Sequence, residues 1–183
     1  MPFEVWTEAA VLGIFGLLIG SFLNVVIHRL PKMMEQQWAA ELEQYAVETS
    51  GALRPADGAG ASGPRPEAFN LLTPRSRCPA CGHEVKWYEN IPVLSYAFLR
   101  GRCSGCKTRI SPRYPLVELL TGALFFFCGA HWGLTATAAT WALFSAALAT
   151  LAFIDWDTTL LPDDITLPLL WSGLVASAFS WIP

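Results

Sequence analysis

Four apolar runs, near residues 9–28, 115–131, 134–154 and 165–181, alternate with polar segments of very unequal length. A helix needs about 20 apolar residues to cross the hydrocarbon of a bilayer. The pattern therefore predicts an all-α polytopic membrane protein with four transmembrane helices. In the first run Gly13, Gly16 and Gly20 fall on one helical face with Ser21 beside them. Small residues there let a second helix approach closely. After Pro31, the positions Met33, Met34, Trp38, Leu42 and Tyr45 recur at roughly helical spacing over residues 32–47. They predict a separate short amphipathic helix that rests on the interface or against the rest of the loop. Residues 49–68, rich in Gly, Ala, Pro and Ser, read as a flexible connection. A tight turn over Gly129–Gly133 is expected between the second and third runs. The chain thus divides into a first transmembrane helix (1–28), an amphipathic helix and linker (29–68), a cysteine module (69–113) and a unit with the other three helices (114–183).

Charge orients this scheme. All twelve Lys and Arg lie between Arg29 and Arg113, and both flanks have none. Basic loops stay on the cytoplasmic side, so residues 29–113 are expected there, and alternate crossing adds 155–164. Glu4 and Glu8 precede the first run where a signal peptide would carry basic residues, so a retained helix is the better reading. Only 15% of residues are charged, which argues against a soluble globule. The basic residues are too thinly spread for a nucleic-acid surface, and no nucleic-acid partner is expected.

Two Cys-x-x-Cys knuckles, Cys78–Cys81 and Cys103–Cys106, stand 21 residues apart. Each pair can chelate one ion, and together they supply tetrahedral sulfur ligation for structural Zn²⁺. A disulfide is disfavoured in a cytoplasmic loop. A thioredoxin-like redox pair would need one motif in a βαβ setting. Lys86, Arg102 and Lys107 would offset part of the thiolate charge. His83 reads as a knuckle or surface residue, and Cys128 as a small buried hydrophobe. Four cysteine ligands leave no open coordination position for catalysis.

Carboxylates cluster where apolar runs end. Asp155 and Asp157 follow the third run, and Asp163 and Asp164 precede the fourth. Acidic groups at a membrane boundary need water, a partner or a chemical role. Asp155, expected first after the apolar helix, suits one member of an aspartic acid–base pair. The ordinary alternative makes Asp157 and Asp163 loop solubilisers and Asp164 the cap of a helix starting near Ile165. Glu118 reads either as a polar anchor or as an internal functional acid, and Arg113 and Glu118 could pair across a helix start. Neither a His-Glu-x-x-His nor a Gly-x-Ser-x-Gly motif occurs, nor does a dinucleotide fingerprint.

Taken together, the run from Gly20 to Pro31, the two cysteine pairs, Glu89 to Tyr96, Arg109 to Glu118, Ile154 to Asp164 and Pro168 to Leu174 resemble the bacterial type IV prepilin leader peptidase/N-methyltransferases. The resemblance spans nearly the whole chain in order. It implies a bacterial inner-membrane enzyme that cleaves the basic leader of prepilins and type II secretion pseudopilins on the cytoplasmic side. It further implies methylation of the new N-terminus from S-adenosylmethionine, with the cysteine loop associated with that activity. Asp155 matches the family's first catalytic aspartate. The second belongs to a Gly-x-Gly-Asp motif that does not occur in these 183 residues. The expectation is therefore the N-terminal portion of such an enzyme, inactive as a peptidase by itself and read from a longer gene. Asn24, Glu89, Asn90, Arg109, Arg113, Tyr114 and Glu118 lie in the resembling stretches without an assigned role. The alternative is a non-enzymatic zinc-module membrane assembly factor, or a truncated remnant.

Overall fold

A computed structural model of the chain describes residues 2–50 and 69–179. The expected linker over 49–68 lies almost wholly outside the described residues. The described part is mostly helical: α1 (Pro2–Ser50), a 3₁₀ turn (Trp87–Asn90), α2 (Leu94–Phe98), α3 (Arg113–Trp132), α4 (Ala136–Thr158) and α5 (Asp163–Ala178). Among the described residues β-structure is limited to two isolated bridges, Arg77 with Glu84 and Arg102 with Arg109. Among the described residues three helices, α1, α3 and α4, are long and apolar enough to cross a membrane.

The separate amphipathic helix expected after Pro31 is instead the continuation of α1, which runs unbroken to Ser50. Proline removes one backbone donor and crowds the preceding turn. Here the ring of Pro31 is buried. Leu30 before it and Met34 after it pack into one cluster with Val26, Ile27, Val117 and Ile154. Contacts on both sides therefore hold the axis through the proline. Beyond them Trp38, Leu42 and Tyr45 are exposed.

The α1–α3 pair is the spine, and its small residues explain the fit. The two helices run antiparallel: a Cβ at Gly13 would meet Phe126, one at Gly16 would lie 2.6 Å from Cβ of Phe125, and one at Gly20 would lie 2.7 Å from Cα of Glu118. From the other side, Gly122 and Gly129 of α3 admit Leu17 and the backbone of Ala9. Lipid tails are as apolar as Leu, so membrane helices associate through such close packing rather than through expulsion of water. The glycine face expected from the sequence is the observed contact.

At one end of the pair α3 runs on through Gly129 and stops at Gly133, φ +67°, the last residue of the turn expected over Gly129–Gly133. Glu8 accepts a hydrogen bond from the Leu134 amide there, at 3.2 Å. Thr135 then caps α4 by accepting from the Ala138 amide. Helix α4 lays Ala138, Ala142 and Ala146 against Phe125 and the buried Cys128 of α3. Ile165 at the start of α5 joins the cluster around Ile154 at the opposite end.

Candidate metal centre and adjoining carboxylates

Each knuckle is built by its own backbone. In the first, the Cys78 amide donates to the His83 carbonyl and the Gly82 amide to the Cys78 carbonyl, both at 2.9 Å. In the second, the Cys103 amide donates to Thr108 at 2.9 Å and the Lys107 amide to Cys103 at 3.0 Å. The residue after the second cysteine is left-handed in both, Gly82 at φ +72° and Lys107 at φ +61°. Glycine adopts that conformation freely, whereas lysine does so at a cost.

The four sulfurs of Cys78, Cys81, Cys103 and Cys106 lie within 4.8 Å of one another. Sγ of Cys78 is 3.7 Å from that of Cys106, and Cys81 is 4.0 Å from Cys103. Zinc–sulfur bonds of about 2.3 Å in a tetrahedron require sulfurs about 3.8 Å apart. The geometry fits the ion. The electrostatics agree, because neighbouring thiols cannot all ionise without a cation. Hydrogen bonds from the Thr108 hydroxyl and amide hold Cys106 down at about 6. Against a hydrogen bond from His83, the neighbouring Cys106, Cys78 and Cys103 push Cys81 up to about 12. A divalent cation would let all four act as thiolates.

His83 is outside the cluster and links its surroundings. Its Nε2 lies 2.9 Å from the Ser104 hydroxyl and 3.2 Å from the Glu89 carboxylate. Glu89 also accepts from the Lys86 amide at 2.9 Å, and this bond, with those from Ser104 and His83, holds its carboxyl down at about 2.

Two buried polar side chains, Arg29 and Glu118, dock the module on the helices, and a third, Asn24, ties α1 to the start of α3; of these the sequence offered only Glu118, as a polar anchor or functional acid. Arg29 donates to the carbonyls of Asn70 (2.8 Å) and Pro74 (2.6 Å), and its guanidinium sits 5.8 Å from the Phe69 ring centroid. Asn24 donates to the Tyr114 carbonyl at 3.0 Å. Glu118 accepts the Val93 amide at 2.7 Å and a hydrogen bond from Ser21. Val93 has φ +59° and ψ −46°, and the Leu94 amide folds back on the Pro92 carbonyl. That is a strained γ-turn, and Glu118 satisfies the donor it leaves over. The expected Arg113–Glu118 pair does not form. Five residues apart on one helix, they point to different faces, since only side chains three or four apart adjoin, and each has a partner elsewhere.

Arg113 pairs with Asp157 and also donates to the Phe153 carbonyl at 3.3 Å, stacking over the Phe153 ring. It thereby grips the end of α4 two residues before and two residues after Asp155. Asp157 is thus an ion-pair partner rather than a loop solubiliser. Asp155 lies inside the final turn of α4, since the helix continues to Thr158, and is exposed. Its backbone carbonyl receives the Thr159 amide at 2.8 Å. The structure does not bring Asp155 into the cysteine cluster. Pro162, not Asp164, is the N-cap of α5, and Asp163 and Asp164 both occupy its first turn, where the helix dipole favours negative charge.

Comparison with known proteins joins these parts. Residues 14–132 match the family model described as the bacterial peptidase A24 N-terminal domain, and residues 142–183 match that of the type IV leader peptidase family. A prepilin leader peptidase/N-methyltransferase of Pseudomonas aeruginosa is 49% identical over 91% of this chain and 53% of its own length. That of Stutzerimonas stutzeri is 46% identical over 91% and 53%. The Aeromonas salmonicida protein of the same name is 47% identical over 93% and 55%. The chain spans about half the length of these relatives. No solved structure matches it significantly.

Proposed function

The chain belongs to the bacterial A24, type IV leader peptidase family, and on that premise we propose that it is the zinc-module portion of a prepilin leader peptidase/N-methyltransferase. The observation that carries this reading is the placement of Asp155. It falls in the part matched by the leader peptidase model, exposed at the end of α4, on a helix turn that Arg113 fixes from both sides. In this reading the enzyme sits in the bacterial inner membrane. Helix α5 makes a fourth span, and residues 29–113 and 155–164 face the cytoplasm.

Asp155 is the first of two catalytic carboxylates, and the second comes from a Gly-x-Gly-Asp segment outside these residues. One carboxylate takes a proton from water as it attacks the scissile carbonyl. The other, protonated, polarises that carbonyl and later protonates the leaving amine. Two nearby carboxylates that share a proton make both roles compatible at neutral pH. The substrates are prepilins and pseudopilins, cleaved at the leader. S-adenosylmethionine supplies the methyl group for the new N-terminus, and no described residue is assigned to binding it. Zn²⁺ held by Cys78, Cys81, Cys103 and Cys106 folds the loop and takes no part in peptide hydrolysis.

The test is a chimera in which this chain is continued by the remaining half of the Pseudomonas aeruginosa relative, assayed in membranes for prepilin leader cleavage. The native chimera is expected to cleave, and Asp155→Asn to lose at least roughly a hundredfold in rate. Undiminished cleavage by the Asn variant would remove Asp155 from the mechanism.

A further inference from the structure

The two knuckles close in the same way but with opposite electrostatics. In each, one residue before the first cysteine faces one residue beyond the turn across an antiparallel bridge: Arg77 faces Glu84, and Arg102 faces Arg109. The flanking bonds also correspond. Cys78 to His83 and Val85 to Ser76 bracket the first bridge, Cys103 to Thr108 and Ile110 to Gly101 the second. These are non-hydrogen-bonded pairs, the arrangement that brings opposed side chains closest together. In the first knuckle the pair is an ion pair at 2.7 Å. In the second it is two guanidinium groups on one face, a juxtaposition that destabilises a ribbon unless an anion lies between them.

No such anion is supplied among the described residues. Arg102 and Arg109 line a cleft of about 560 Å³ with Arg100, the Tyr96 ring, Ser111 and Pro112. Neither these three arginines nor their neighbours in the cleft form an ion pair with a described carboxylate. Arg100 is itself held at φ +51°, and Gly101 beside it at φ +65° lies under the Tyr96 ring, leaving no space for a side chain. The Tyr96 hydroxyl donates to the Ile110 carbonyl at 3.3 Å, which fixes the ring as one wall. Guanidinium forks match the oxygens of a tetrahedral phosphate, and three arginines line this one cleft. The floor of the cleft, Ser111 and Pro112, runs directly into α3, a helix apolar enough to cross the membrane. Phosphate-bearing headgroups would lie at that level.

We propose that the cleft between Tyr96, Arg100, Arg102 and Arg109 is a phosphate-binding site, suited to the phosphate of an anionic lipid headgroup or to a free phosphate group. It stands independently of the peptidase reading. The anion completes the second knuckle as Glu84 completes the first.

The first knuckle also supplies the decisive variant. Arg109→Glu gives the second bridge the Arg–Glu composition of the first, so the module is expected to fold with its own internal partner. The full chain, loaded with zinc, is followed by the temperature at which a chelating dye captures the metal. One arm titrates inorganic phosphate in a neutral detergent. The other compares nanodiscs of phosphatidylcholine with nanodiscs that also contain phosphatidylglycerol. The native chain is expected to hold zinc to a temperature several degrees higher in at least one phosphate arm. A response to phosphatidylglycerol alone identifies the lipid headgroup, and a response to free phosphate alone identifies a soluble ligand. Arg109→Glu is expected to abolish the response and to hold zinc at least as well as the native chain without phosphate. A charge-matched control, Arg75→Gln with Lys86→Gln, lies outside the cleft and is expected to keep the response. The proposal fails if no arm raises the zinc-release temperature, or if Arg109→Glu responds as the native chain does. It also fails if Arg109→Glu releases zinc more readily in phosphate-free buffer, which would make the arginines counter-charges of the metal centre.

Discussion

Replacing Arg29 with Met tests whether the cysteine module is docked by the helices or merely folded by its metal. The native guanidinium donates to the Asn70 and Pro74 carbonyls and stacks on Phe69, with only 8% of the residue exposed. Hydrogen bonds to a charged group contribute about 1.5–3 kcal/mol each, and the ring contact about 0.5–1 kcal/mol. Removing Arg29 also removes the cost of burying its charge, and the freed carbonyls regain water. A net loss of about 2–3 kcal/mol in local stability is the reasonable expectation. That loss should appear at the turn Arg29 anchors, where the Leu72 and Thr73 amides donate to the Asn70 side chain at 2.8 and 2.7 Å. Hydrogen exchange on the zinc-loaded chain in detergent should show both amides accelerated by roughly 30–150-fold. The Val93 amide, held by Glu118, should be unchanged, as should zinc content. Acceleration below about threefold, equivalent to less than 1 kcal/mol, would refute the docking argument. So would zinc loss in step with faster exchange, since the effect would then belong to the metal site.

Gly20→Ala should lower the melting temperature in detergent by an amount equivalent to about 1–3 kcal/mol, because the new methyl would lie 2.7 Å from backbone of α3. Gly173→Ala, with nothing within 4 Å of the added carbon, should stay within about 0.5 kcal/mol of native. Cys103→Ser should abolish zinc retention by elemental analysis and leave residues 76–108 exchanging like unfolded chain, whereas Cys128→Ser should retain the metal. Lys107→Gly should relieve the left-handed strain and raise the zinc-release temperature by an amount equivalent to about 1 kcal/mol, and Gly82→Ala should lower it. Arg113→Lys keeps a charge for Asp157 but lacks the second arm that reaches the Phe153 carbonyl, so exchange at Thr159 should accelerate while the melting temperature of α1 with α3 barely moves.

Period and composition were enough to locate α1, α3 and α4, because membrane helices satisfy their backbone internally and announce themselves by length alone. The glycine face of α1 was legible for a related reason: only small residues permit the observed backbone approach. Both cysteine pairs were legible because chelation imposes a fixed local spacing. What the sequence hid was every contact that depends on a distant element. Pro31 looks like a helix end when read locally, and only the packing of Leu30 and Met34 into one cluster overrides it. Arg113 has Glu118 five residues away, on another face of the same helix, but finds Asp157 forty-four residues on. Arg102 and Arg109 look like scattered loop charges until the bridge sets them side by side.

Apart from Glu8 with the Leu134 amide, the long-range polar contacts described above gather at one end of the α1–α3 pair, and this divides the labour of the fold. Zinc could bind the four sulfurs wherever the module sits, so a bound metal would set the module's internal shape but not its position. Position comes from Arg29 on α1, which holds the segment 70–74, and from Glu118 on α3, which holds the turn at Val93, while Asn24 ties α1 to the start of α3 at Tyr114 and Arg113 ties α3 to the end of α4. Those four side chains can act together only if α1 and α3 keep a fixed register. Register is set by the glycines, since a slip of one residue would drive a side chain into the space at Gly16 or Gly20. The small-residue contact within the bilayer therefore governs where Asp155 stands, even though none of its residues approaches that carboxylate.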